Sequence, residues 1–536
     1  VTTPTRPPYP PVPPAPRRRR RSPARVLLAV TAAVVGFVLL LVGGGLAVAW
    51  FALRPIDTVG EVEFDRALAV PPLAESRVDE QGRRVFSLTA QEGRSDLGGS
   101  GTAATWGFNG AHLGPTLRAG RGEQVRVEVD NELPKTTSVH WHGMHLPAAM
   151  DGGPHQPVEP GGTWTPEWTV DQPAATLWYH PHPHGETADH VARGLAGMFI
   201  LDDPVEQALD LPREYGVDDV PVIVQDVSLE DSGRLEEGRD RGSTVLVNGT
   251  VGPYLEVTTE RVRLRLLNAS IHRTYAFGLD DGSPLVQIAS DGGLLPEPHR
   301  TDAVLLSPGE RAEVVVTMQP GETRVLRSQP GHVSGGGLSD RQVGGADRLD
   351  VMQLRAAAEL QPSPEVPDPL VPDIADHAGD EADAVRTRSF ELQGRQINGK
   401  RMDMERIDEV VGLGDTEVWE VRNAGGEPHS FHVHDVQFHV LGVDGREPGP
   451  GLAGLKDTVL LAPGSTMRLL MTFRDHAGPA GDTSVPYMYH CHLLRHEDEG
   501  MMGQFVVAED GELAGPGTGG AAGAATGHGQ HGRHDH

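Results

Sequence analysis

Histidines stand two apart at His140-Trp141-His142-Gly143 and again in Trp178-Tyr179-His180-Pro181-His182-Pro183-His184-Gly185. The spacing returns in His429-Ser430-Phe431-His432-Val433-His434 and in His490-Cys491-His492, with His496 and Met501 beyond. On an extended strand, residues two apart point to the same face, so each His-x-His pair aims two imidazoles at one spot. Four such pairs supply eight imidazoles, far more than one zinc ion uses.

The last cluster also carries the only Cys among 536 residues. If His490 and His492 share one face of a strand, Cys491 must point to the other. One short strand then ties an imidazole-rich site to a thiolate site. Cys491 with His429 and His496, plus a weak axial Met501, makes the two-His, one-Cys, one-Met set of a blue-copper centre. Soft thiolate and borderline imidazole favour copper over magnesium or calcium, and the other eight His suit a multinuclear copper site for dioxygen.

These strands need a scaffold that repeats. From residue 56 onward short segments such as Gln124-Val125-Arg126-Val127-Glu128-Val129 alternate polar and apolar residues, the strand signature. An Asn-Gly turn recurs at Asn109-Gly110, Asn248-Gly249 and Asn398-Gly399, 139 and 150 residues apart. Each precedes an alternating strand that ends in Asn131, Asn268 or Asn423, and each is followed by Pro160-Gly161, Pro308-Gly309 or Pro463-Gly464. The interval is the size of one β-sandwich, repeated three times. The reading is an all-β chain with domains at 56–204, 205–360 and 385–509, a Pro- and Asp-rich linker at 361–384 and a Gly/Ala/His-rich disordered tail at 510–536.

The four clusters and the triple repeat together resemble the three-domain multicopper oxidases, in particular the bacterial copper-efflux oxidase and laccase-like branch. The resemblance covers nearly all of residues 56–509. It implies three cupredoxin-like Greek-key sandwiches and four coppers per chain. Position by position, it implies type 1 ligands His429, Cys491, His496 and Met501 and type 2 ligands His140 and His432. The type 3 pair takes His142, His180, His182, His434, His490 and His492. The implied reaction passes single electrons from a phenol or a reduced metal ion such as Cu(I) to the type 1 site. His490 and His492 then lead them to a trinuclear cluster, where four reduce O₂ to water. Asp151 in Met150-Asp151-Gly152-Gly153 and Glu497 beside His496 match the family's proton-relay acids.

The second domain offers only His272, His299, His332 and His377, all isolated, and reads as a spacer without copper ligands. His145, His155, His184, His190 and His439 read as surface or supporting positions. The electron donor is not legible. The Met-rich insert of the cuprous oxidases is missing from a chain with 12 Met, and Ala424-Gly425-Gly426-Glu427-Pro428 precedes the first type 1 His. The His-rich end (His528, His531, His534, His536) is a candidate for loading Cu(II) instead. The alternative class is a non-catalytic envelope or copper-storage protein on the same fold.

Residues 26–53 carry no charge and exceed the ~20 apolar residues of a membrane span. Arg17 to Arg21 precede them and Asp57, Glu61 and Glu63 follow. By the positive-inside rule residues 1–25, a Pro/Arg-rich tail, are cytoplasmic, and the catalytic domains are extracytoplasmic behind a single-pass anchor. Secretion after cleavage at Ala47-Val48-Ala49 is the alternative. Seven of the 46 Lys and Arg lie in the first 25 residues with no acid among them, so the rest of the chain carries a net charge of −36 against −29 for the whole. Such a surface excludes nucleic acid as a partner, which leaves O₂, a small donor and the membrane around a monomeric catalytic unit.

Overall fold

The computed structural model describes all residues except 1–21, 237, 332, 334–335, 372–378, 475, 478–482, 510 and 512–536. The tail expected to be cytoplasmic, the C-terminal tail with its histidines, His332 and His377 therefore lie wholly or largely outside the described residues. Two compact units divide the chain at Arg54 and Pro55. In the first, Pro23–Ala52 is one helix of 30 residues, and its Leu27, Leu28, Leu39 and Leu40 are exposed. Among the described residues no helix is long and apolar enough to cross a membrane. The structure supplies the helix, and the span rests on the sequence.

The second unit is strand-rich, with three main apolar cores in chain order. They centre on Phe86, Val127, Trp141 and Phe199, on Val222, Leu264, Phe277 and Leu354, and on Trp419, Phe431, Tyr489 and Phe505. The alternation read in Gln124–Asn131 emerges as a strict succession of covered and partly exposed residues. In each repeat an early strand runs parallel to the Asn-ended strand: Arg84–Ser95 with Gln124–Asn131, Asp219–Val227 with Arg261–Asn268, and Ala384–Gln393 with Thr416–Asn423.

The recurring sequence signals make the same bonds each time. The Asn109 side-chain oxygen accepts from Thr89 N–H and its amide donates to Ser87 O. Asn248 does this with Ile223 and Pro221, and Asn398 with Glu391 and Ser389. The amides of Gly161, Gly309 and Gly464 donate to the carbonyls of Asn131, Asn268 and Asn423. A buried strand end leaves backbone groups that need partners, and each repeat meets that need with the same two residue types.

Two sheets carry the site. One runs Leu117–Gly120, Gly197–Asp202, Ala175–His180, His140–His142, and places His140 opposite His180. The other runs Glu409–Gly412, Met502–Ala508, Tyr487–Cys491, His429–Val433, Thr458–Leu461. Its register sets His432 opposite His490 and Phe431 opposite Cys491. The second repeat is packed more closely than a spacer needs to be. Its strand Arg261–Asn268 is buried throughout, with Arg263 and Arg265 paired to Glu313, Glu206 and Asp219. Part of the expected linker is also packed, since Leu370 is buried and its amide donates to Pro296 O.

Candidate metal centre

Eight of the His-x-His imidazoles meet in one enclosed space, none more than 1% exposed. His140, His142, His180, His432 and His490 lie on strands of the first and third repeats, while His182, His434 and His492 fall just past the strand ends rather than on the strands as the spacing predicts. The closest ring contacts cross between the two repeats. His142 stacks on His432 with centroids 3.7 Å apart, and His140 on His434 at 3.9 Å. Nitrogens of three triples lie within 4.8 Å of one another: His140, His142 and His180; His140, His432 and His434; His182, His434 and His490. His492 closes the group, its ring 4.9 Å from His142 and 5.3 Å from His180. His184 stays exposed, and His190 sits against Trp106 and Thr137, away from this space.

The orientation of each ring follows from its outer partner. A carbonyl can only accept, so a ring nitrogen bonded to one carries the proton, and the lone pair sits on the other nitrogen. His140 Nδ1 donates to Asp151 O at 3.0 Å, His432 Nδ1 to Asp457 O at 2.8 Å and His180 Nδ1 to Pro181 O at 2.8 Å. His434 Nδ1 donates to Asp151 Oδ2 at 2.7 Å. These four rings present Nε2 to the cage. His142 is reversed: its Nε2 meets Asp457 Oδ1 at 3.0 Å, which leaves Nδ1 facing inward.

Burial, reinforced by the neighbouring imidazoles, holds His142, His180, His432, His434 and His492 neutral, well below the ordinary histidine range. Among the described residues, six ring nitrogens of the cage have neither a hydrogen-bond nor an ion-pair partner: Nε2 of His140, His180 and His432, Nδ1 of His142, and both of His492. A buried polar atom left unsatisfied costs about 1–3 kcal/mol, so six approach the whole net stability of a domain. Lone pairs converging in this way call for a Lewis acid. Neutral imidazoles without thiolate suit copper, and the residues present fit a multinuclear site.

Glu497 stands beside the cage, Oε1 3.3 Å from His182 Nδ1 and Oε2 3.1 Å from His490 Nδ1. Burial opposes its ionisation, but His182 and His490 outweigh that and hold the carboxyl well below the usual carboxylate range. Asp151 is buried at the end of the short helix Ala148–Met150. Gly152 follows it at φ +78°, where a Cβ would collide with Val139 O.

On the other face of the same strand, Cys491 Sγ lies 3.5 Å from His429 Nδ1 and 3.6 Å from His496 Nδ1, and those two nitrogens are 3.2 Å apart. Met501 is fully buried beside them; its carbonyl accepts from Cys491 N–H, and its N–H donates to His496 O. Burial pushes the Cys491 thiol up to about 12, so a bound cation is what makes thiolate available near neutrality. Strand alternation thus divides three consecutive residues between two sites.

Several contributors escaped the sequence reading. Asp457, Thr458 and Arg311 line the cage from behind, and the only hint was the charge of Arg311 and Asp457 beside largely apolar strand segments. His272 is buried with its ring 5.5 Å from that of His496, edge to face. Glu427, four positions after the strand-ending Asn423, has Oε2 4.0 Å from His496 Nε2.

Three cupredoxin-like sandwiches holding a two-His, one-Cys site next to an eight-imidazole cage define a copper-dependent oxidoreductase. Models of the family described as multicopper oxidase match residues 89–206, 221–326 and 367–511. The multicopper oxidase mco of Staphylococcus haemolyticus is 34% identical over 450 residues, covering 82% of this chain and 91% of its own. The cell division protein FtsP of Yersinia pestis is 36% identical over 451 residues, covering 82% and 92%. A crystal structure of a laccase from Pediococcus acidilactici matches with a TM-score of 0.74 at 35% identity, covering 83% of this chain and 95% of that one. The chain belongs to the multicopper oxidase family. It is an enzyme whose cofactor is copper, four ions per chain in this family.

Proposed function

We propose that the protein oxidises phenols or reduced metal ions such as Cu(I), one electron at a time, and reduces O₂ to water with four of them. His429, Cys491, His496 and Met501 hold the type 1 copper. His140 and His432 hold type 2, and His142, His180 and His492 with His182, His434 and His490 hold the type 3 pair. The domains carrying them are 56–204 and 385–509, with 205–360 between. When bound, these coppers supply the one-electron steps and the dioxygen chemistry.

The protein's own part is placement and proton supply. Cys491 is joined by covalent bonds to His490 and His492, so electrons entering at its sulfur have a path of a few bonds to the cage. Asp151 and Glu497 are buried carboxylates touching cage imidazoles and placed to hand protons inward. Neutral buried rings keep their lone pairs for metal at ordinary pH. The helix Pro23–Ala52 anchors the enzyme in the cell membrane with its catalytic domains extracytoplasmic; its exposed leucines and charge-free run support that reading.

The observation that carries the proposal is the split of His490-Cys491-His492 between two adjoining sites. Copper content, the visible spectrum and O₂ uptake with Cu(I), Fe(II), Mn(II) and a phenol test it. The expected result is four coppers, an intense blue band and one O₂ consumed per four electrons. The relatives named as cell division proteins favour a second reading, a role other than oxidation; a purified protein that takes up no copper and consumes no O₂ would establish it instead.

A further inference from the structure

The second repeat supplies no ligand, yet one of its side chains reaches the cage wall. Arg311 opens the strand Arg311–Thr317 and is fully buried. A guanidinium has five N–H donors, and all five are used. Nε donates to Thr176 O at 2.8 Å, Nη1 to Gly309 O at 3.1 Å and Nη2 to Asp291 O at 3.0 Å. The remaining two go to Asp457, Nη1 to Oδ1 and Nη2 to Oδ2, both at 2.7 Å. One side chain therefore joins the first, second and third repeats.

Asp457 passes that fixation on. Its Oδ1 receives His142 Nε2 from the first repeat at 3.0 Å, and its carbonyl receives His432 Nδ1 from the third at 2.8 Å. Thr458 Oγ1 lies 3.1 Å from both of those nitrogens. These are the two rings that stack at 3.7 Å with an interplanar angle of 10°. Gly143 makes the approach possible: a Cβ there would stand 2.6 Å from Asp457 Oδ2 and 2.8 Å from Arg311 Nη2. With both carboxylate oxygens engaged by Arg311 and one also by His142, Asp457 serves as an anchor for ligands more readily than as a ligand.

We infer that Arg311 is a positioning residue for the trinuclear centre: it clamps Asp457, and through it the paired rings of His142 and His432, so that the ligand-free repeat completes the copper site. This rests on the ligand assignment proposed above. Lysine cannot substitute, because one ammonium cannot meet two carboxylate oxygens and three carbonyls in a plane. Partners that orient metal-bound imidazoles are worth about 10- to 100-fold in metal retention.

The test uses the full chain with copper bound, as Arg311→Met, Asp457→Asn and the double variant. The readouts are copper per chain, the blue band, the type 2 electron paramagnetic resonance signal and the rate of copper loss to a chelator. Each single variant is expected to keep the blue band while losing trinuclear copper at least tenfold faster, with an altered type 2 signal. The double should be no worse than the worse single, because the two residues act in series. Unchanged type 2 signals and copper loss overturn the inference, as do additive losses that take the blue band with them. Should Arg311→Met fail to fold, Thr458→Val removes only the hydroxyl shared by both rings; an unshifted type 2 signal there also overturns it. A wild-type protein without four coppers or blue colour refutes the functional proposal itself, and this inference with it.

Discussion

Asp151 Oδ2 lies 2.7 Å from His434 Nδ1, across 283 positions of sequence, with both side chains buried. The carbonyl of Asp151 meanwhile receives His140 Nδ1, so one first-repeat acid holds both members of a stacked imidazole pair. Asp457 mirrors it from the third repeat, with its carbonyl on His432 and its carboxylate on His142. Each outer repeat thus contributes one acid that fixes a ring of its own through its backbone and a ring of the other through its side chain. The cage can form only when the two repeats are docked.

Replacing Asp151 by Asn keeps the backbone contact and an acceptor oxygen but removes the charge and the proton-carrying group. General acid–base contributions run to about 10²–10⁴-fold. Asp151→Asn should leave the blue band intact and slow O₂ reduction by about 10²-fold, measured by oxygen uptake beside the visible spectrum. A normal turnover number would remove Asp151 from proton delivery.

Cys491→Ser exchanges a soft sulfur for a hard oxygen in a pocket of buried apolar residues. It should abolish the blue colour and oxidase turnover while the eight-imidazole cage keeps its copper, giving three ions per chain. Metal analysis with absorption spectroscopy decides this, and a blue Ser variant refutes the type 1 assignment.

What could be read beforehand was local. His-x-His spacing implies a shared face because a strand repeats every two residues, and the opposed direction of Cys491 follows from the same rule. Asn131, Asn268 and Asn423 were visible because each repeat needs the same strand-end bonds. The bond from Arg311 to Asp457 spans 146 positions and joins different repeats, so no spacing announces it. His272 looked isolated for the same reason, since only the packed fold brings its ring against His496. The inward nitrogen of His142 was hidden too, because it depends on which partner lies behind the ring.

Gly152→Ala should be severely destabilising. Its φ of +78° is unfavourable for alanine, and the added Cβ would strike the Val139 carbonyl, which is backbone and cannot swing away. A loss of more than about 3 kcal/mol is expected, together with displacement of Asp151. Urea unfolding of the metal-free variant against the wild type measures it, and a difference under ~1 kcal/mol would show that the loop relaxes freely.

Removing residues 1–53 deletes the helix and no residue of the site. If that helix is an anchor, the full chain sediments with membranes and resists high salt, while 54–536 stays in the soluble fraction with unchanged kcat. Equal partition of the two forms would leave the helix without a membrane role.

Acid should unfold the metal-free protein early, and the sign follows from the histidines. Burial lowers His182 and His429 to about 3, whereas in the unfolded chain each titrates near 6.5. Below that value the unfolded state binds more protons than the folded one, so stability falls as pH falls, from about 6.5 down to about 3. At pH 5 each of the two rings costs about 2 kcal/mol relative to pH 7.5, and the other neutral cage imidazoles add to it. Thermal melts of the metal-free protein should therefore shift steeply downward between pH 6.5 and 4. Bound copper must be expelled before its ligands can protonate, so the loaded enzyme should hold its melting temperature further into acid. Parallel curves for the two forms across that range would mean that metal does not occupy these imidazoles.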